Sequence, residues 1–205
     1  MNEIMNSMEH QISCSCGAVK GTLSGAARTT HCVCYCKSCQ AFAHFLGRAD
    51  EILDERGGSA IVQTQPSNVR FTQGLENLAC MKLTEKGILR WYSSCCRTPL
   101  GNTLATARLS FVGLVHNCLE TNSQNLVESF GPVQIRVHSR SAKGEPKPKN
   151  KGMFPAYARL ILDLLTARLS GRYASTDYFD ANTDTPVSKP RVLSPAELEH
   201  LKKKL

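Results

Sequence analysis

Through its first two-thirds the chain alternates apolar and polar residues in short runs closed by Gly, Ser, Asn or Pro. That is the pattern of half-buried strands joined by tight turns. Six strands are predicted: 17–23 (GAVKGTL), 60–64 (AIVQT), 69–72 (VRFT), 78–83 (LACMKL), 88–92 (ILRWY) and 109–116 (LSFVGLVH). A helical period shows at 40–46 (QAFAHFL), and 49–59 (ADEILDERGGS) reads as a short acidic turn of helix closing in a Gly-Gly loop. Segment 139–152 (SRSAKGEPKPKNKG) is poor in apolar residues and rich in lysine and proline, so a mobile loop or linker is expected. Next, 155–173 sets Leu160, Ile161, Leu164, Leu165 and Leu169 on one helical stripe between Pro155 and Gly171. Such a stripe is expected to lie against the body. At 194–205, Ser194 can cap a short helix, with Pro195 at its first position and Glu197 completing a capping box. The class implied is mainly β, with a C-terminal helical extension.

Length and composition narrow the class. With 205 residues, 41% hydrophobic and 20% charged, the chain can bury a real core, and no run is long enough to span a bilayer, so no membrane partner is expected. The N-terminus lacks the basic start and apolar stretch of a signal peptide, which points to the cytoplasm and to reduced thiols. Aromatics at 6% argue against base-stacking platforms. Residues 1–133 carry 11 Lys+Arg against 10 Asp+Glu, and 134–205 carry 14 against 7. The excess is spread over a linker and helix ends, which usually marks a solvated face, so a nucleic-acid partner is not expected. A cysteine-bearing body at 12–133 is thereby distinguished from a basic region at 134–205, with linker and helices packed on the body or extending from it.

All ten cysteines fall between Cys14 and Cys118, in three groups and three single positions. The groups are Cys14-Ser-Cys16-Gly17, Cys34-Tyr-Cys36-Lys-Ser-Cys39 and Cys95-Cys96 followed by RTPL. Zinc takes four tetrahedral ligands with Zn–S about 2.3 Å, and cysteines two or three apart in a tight knuckle can share one ion. On an extended strand a CxC pair would stand about 6.6 Å apart, so each group has to be turned. Lys37, inside the second group, favours thiolate over thiol. Zinc or another ion with a taste for soft ligands is therefore expected, in preference to free thiols or a redox pair.

These residues resemble a known family. CSCGAV, then CYCKSC, then CCRTPL are similar to the CxCG, CxCxxC and CxxCG(S/T)xL series of the glutathione-dependent formaldehyde-activating enzymes, a family that includes centromere protein V. The likeness covers about residues 12–120, and CYCKSCQAFAHFLG, LRWYSSCCRTPLGNT and FVGLVH resemble an uncharacterised bacterial branch. It implies an Mss4-like fold of several coiled antiparallel sheets around zinc. It also implies a structural zinc on Cys14, Cys16 and Cys96, and a second ion on Cys34, Cys36 and Cys39 with an open position near which glutathione or another small thiol binds. Cys34, Cys36 and Cys39 are then the catalytic residues of a carbon–sulfur lyase acting on thiol–aldehyde adducts. The pattern breaks where the structural site should close: Ser93 stands at the first late cysteine, Cys95 is extra, and Arg97 replaces the glycine. Either Cys95 becomes the fourth ligand in a distorted knuckle or the site has only three.

Cys80 and Cys118 read as core residues, Cys32 as core or a spare ligand, and His31, His44 and His116 as ordinary histidines ahead of metal ligands or proton carriers. Two other accounts compete with the enzyme: a non-catalytic zinc module that presents a surface to a macromolecule, and a thiol redox or metal sensor.

Overall fold

The computed structural model describes residues 9–25, 29–120 and 126–205. Strands dominate. A three-stranded antiparallel sheet joins β1 (His10–Ser13), β2 (Lys20–Leu23) and β5 (Val69–Gln73) in the order β1-β2-β5. The larger sheet contains β3 (Thr30–Cys34), β4 (Ser59–Thr64), β6 (Leu78–Lys82), β7 (Leu89–Ser93), β8 (Pro99–Thr103) and β9 (Val112–Val115), with β10 (Ile135–Val137) and β11 (Arg191–Val192) at its edges. Its order is β10-β3-β4-β9-β8-β7-β6-β11. Five helices complete the described residues: α1 (Lys37–Leu46), α2 (Ala49–Ile52), α3 (Leu126–Phe130), α4 (Met153–Leu169) and α5 (Pro195–Lys202).

The two edge strands correct the expectation of purely antiparallel sheets: β10 runs parallel to β3, and β11 parallel to β6. Parallel neighbours require a long crossover, and the chain from 134 onward supplies it by returning to both edges. That region also contributes Tyr178 and Phe179 to the main core, where they meet Trp91 and Phe71. The core lies between the small sheet and the inner face of the large one, built on Ile12, Val62, Trp91, Leu100 and Leu114. Cys80 and Cys118 are buried there, and burial pushes both thiols up to about 12. A second apolar cluster holds α1 and α5 together through Phe42, Leu46, Met81 and Leu201.

Three local expectations need revision. The 139–152 segment is a loop, but a tethered one: Lys143 N donates to Arg56 O, Gln40 Nε2 donates to Ser141 O, and Ser139 N donates to Asn150 Oδ1. Helix α1 begins inside the cysteine motif because Cys36 caps it, its sulfur accepting from Cys39 N at 3.3 Å. Helix α4 divides its stripe. Ala156, Leu160, Leu164 and Ala167 turn inward, whereas Ile161, Leu165 and Leu169 are exposed. The predicted capping box at Ser194 and Glu197 forms as read.

Candidate metal centres

The first centre joins two turns about eighty residues apart. After β1 the chain folds back at Cys14–Gly17, where Gly17 N donates to Cys14 O and Gly17 takes the left-handed conformation that favours glycine. The β7–β8 connection is a second knuckle, closed by Arg97 N to Ser93 O and Ser93 N to Thr98 O. The turn over residues 94–96 sets adjacent Cys95 and Cys96 toward the same point, and Arg97 closes it with a left-handed φ of 57°.

The sulfurs of Cys14, Cys16, Cys95 and Cys96 all lie within 4.8 Å of one another. Cys14–Cys16 is 3.5 Å, Cys16–Cys95 3.3 Å, Cys14–Cys95 3.9 Å and Cys95–Cys96 3.9 Å. Four sulfurs each about 2.3 Å from a tetrahedral ion stand about 3.8 Å apart, so this donor set fits such an ion. Ser93 is fully buried and stays out of the cluster. It lies 3.1 Å from Cys96 Sγ and accepts from Thr98 N.

Sequence reasoning missed Arg48. One nitrogen, Nη1, donates to Ser15 Oγ at 2.8 Å, to Cys96 O at 3.0 Å and to Thr98 Oγ1 at 3.2 Å. The other side of the guanidinium is braced by Glu51. Arg48 thus ties both knuckles together and sets a cation beside the sulfurs. In the thiol form, burial raises Cys96, but hydrogen bonds from Ser15, Ser93, Thr98 and the Cys16 backbone overcome it and hold Cys96 down at about 4. Desolvation and the neighbouring Cys16, Cys96 and Cys14 push Cys95 up to about 12.

The second centre sits where β3 runs into α1. Cys34 ends the strand, Cys36 caps the helix and Cys39 lies in its first turn, so the chain turns between them and brings three sulfurs within 4.8 Å. A helix N-terminus favours negative charge. Cys39 is held well below the usual thiol range by hydrogen bonds from Cys34 and Cys36, with the Arg90 guanidinium assisting. Cys34 is pushed up because its proton serves Cys36 and Cys39. Arg90 is buried, 3.9 Å from Cys39 Sγ, and its orientation is fixed by Asn102 Oδ1 at 2.9 Å and by the Phe42 ring.

This three-sulfur group opens on a cleft of about 800 Å³. Its floor crosses the face of the large sheet through Cys32, Ile61, Gln63, Gly113, Asn102 and Arg90. A Cβ at Gly113 would stand 2.7 Å from Ile61 Cγ2, so a bare backbone there keeps the floor open. Lys37, Lys86, Lys202 and Arg90 line the cleft together with His138, and no acidic residue among the described ones does. Cys32 shares the cleft but stands outside the three-sulfur group, its thiol raised to about 12 by burial and by Cys39 and Cys36.

Among the histidines, His31 and His116 line a separate cavity of about 370 Å³, and His44 does not reach the cleft. His138 does reach it. No sequence signal marked this residue, because it becomes a wall of the cleft only when β10 joins the sheet beside β3.

Residues 6–182 match the model of DUF6151, described as a family of unknown function. The chain belongs to the DUF6151 family. No curated protein matches the chain. A solved crystal structure of a Rhodobacter sphaeroides protein is similar at 20% identity, covering 62% of this chain and 97% of that one, with a TM-score of 0.39. A likeness at that score carries no weight for fold or function. For this DUF6151 protein the two cysteine clusters are compatible with metal binding, and no helix among the described residues is long and apolar enough to cross a membrane.

Proposed function

We propose that this DUF6151 protein binds zinc at both clusters, in a reducing compartment such as the cytoplasm, with an Mss4-like fold. In this reading the ion on Cys14, Cys16, Cys95 and Cys96 is structural, and the Cys34, Cys36 and Cys39 centre handles thiol–aldehyde adducts as a carbon–sulfur lyase. The observation that carries the proposal is the position of three clustered thiols at a basic cleft of about 800 Å³. A closed structural site has four protein ligands, whereas three leave a place for substrate. When bound, the ion would supply Lewis acidity and lower the pKa of an entering thiol.

The chain's own residues supply the remainder. Lys37, Lys86 and Lys202 draw in a small thiol that carries carboxylates, such as glutathione. Ile61, Leu83, Phe111 and Val137 give the cleft apolar walls that exclude water. In adduct formation the thiol sulfur bonds to the aldehyde carbon and the thiol proton ends on the former carbonyl oxygen. His138 is the imidazole placed to move that proton. Cys34 and Cys36, assisted by Arg90, hold Cys39 as thiolate, and Asn102 holds Arg90 in place.

The test uses cobalt-substituted protein. Adding millimolar glutathione is expected to change the thiolate-to-cobalt absorption in wild type, and Cys36→Ser is expected to abolish the change. An unaltered spectrum in wild type would rule out thiol entry at this centre.

A further inference from the structure

One surface of the molecule has no role in the metal chemistry. Helix α4 is docked by its inner face: Ala167 is buried, Ala156 lies against the residues around Cys34 and Cys39, and Gln65 Nε2 donates to Asp163 O at 3.2 Å. Its outer face is apolar. Phe154 is 86% exposed and Leu169 89%, while Tyr157, Ile161, Leu162 and Leu165 are each more than half exposed. At 3.6 residues per turn these six fall within an arc of about 140°. With side-chain areas of about 150–250 Å², they leave on the order of 800 Å² of apolar surface in water. The largest patch on a typical monomer is about 300–600 Å².

From this geometry we infer that α4 is a dimerisation surface whose occupant is a second copy of this chain. The exposed area matches one side of a standard interface, about 800 Å² per partner. An isologous contact requires a self-complementary patch, and the six apolar residues are centred between Ile161 and Leu162. Two antiparallel copies of α4 therefore set Phe154 of one beside Leu169 of the other, with Ile161 and Leu162 at the twofold axis. Arg168 falls on the same arc, near the Leu169 end and away from the twofold axis, where a long side chain keeps its charge in water. Helices that lie in a lipid surface carry rows of Lys and Arg beside the apolar face. The charges of α4 are Arg159, held by Asp163 at 3.9 Å, and Arg168.

Light scattering on the eluting full-length protein, zinc-loaded and at tens of micromolar, tests this, since interfaces of this size give Kd values from micromolar downward. The expected mass is twice the 22.5 kDa of the chain. Ile161→Asp with Leu165→Asp is expected to halve it and to leave metal content and the folded circular dichroism spectrum unchanged, with a modest fall in melting temperature as the dimer's contribution is lost. Should that variant misfold, Phe154→Gln with Leu169→Gln at the most exposed positions replaces it. A wild type of single-chain mass overturns the inference, and so does a dimer that survives the substitutions. Flotation of a monomeric wild type with phosphatidylserine vesicles would overturn it in favour of lipid.

Discussion

The sulfur of Cys16 lies 3.3 Å from that of Cys95, across 79 residues of sequence. The contact joins the turn after β1 to the β7–β8 knuckle, and so ties the small sheet to the large one. An ion there would cross-link the two sheets at the rim of the main core, and its binding free energy would be folding free energy.

Cys95→Ser is therefore expected to lower metal content from two ions per chain to one and to cost about 3 kcal/mol or more, a fall in Tm of about 10 °C for a chain of this size. Cys36→Ser is also expected to lose one ion, but with a much smaller change in Tm, because its three ligands come from one continuous stretch. Metal analysis paired with thermal melting separates the two sites. Equal destabilisation by both variants would contradict the division into structural and open centres.

Arg48→Ala would leave Ser15 Oγ, Cys96 O and Thr98 Oγ1 without their shared donor. A loss of about 2 kcal/mol and a 10–100-fold weaker first site are expected. Competition with a chromophoric chelator measures the affinity. Arg48→Lys restores charge but not the fork and should recover little.

The metal-free protein should show a pH signature at Cys96. Its thiol is lowered from 9.0 to about 4 in the fold, so its contribution to stability is complete above about 9, shrinks as pH falls, and is gone below about 4. Peptide-mapped alkylation of Cys96 in chelator-treated protein should stay constant in thiolate fraction from neutral pH down to about 5. Thr98→Val or Ser93→Ala removes a hydrogen bond to the sulfur and should move the break to higher pH.

Charge reversal in the cleft tests what the basic wall is for. Lys86→Glu is expected to weaken binding of a dicarboxylate thiol roughly tenfold, an effect that shrinks in high salt, as expected for exposed charge. A neutral thiol such as 2-mercaptoethanol should bind equally well to both proteins.

The candidate ligands were legible because cysteine spacing is a local property. CxC and CxCxxC need only a turn or a strand–helix junction, and Cys36 capping α1 provides one. Cys95 could also be read as a ligand, but only the turn over residues 94–96 decides that it faces Cys16. Arg48, Arg90 and His138 were not legible. Each acts on groups brought near by strand pairing, Arg90 on Cys39 from 51 residues away and Arg48 on Cys96 from 48.

Sequence alone determined where most strands of the body lie, which cysteines cluster and how α5 is capped, since alternation, spacing and capping act within a few residues. Tertiary structure decided that β10 and β11 close the edges of the large sheet in parallel, and that α4 shows solvent the half of its apolar surface that periodicity had assigned to the body. The physical reason is the same for both. Periodicity says that a face is apolar, but whether it is covered depends on what else reaches it; β10 and β4 use the inner side of α4, and nothing among the described residues covers the outer.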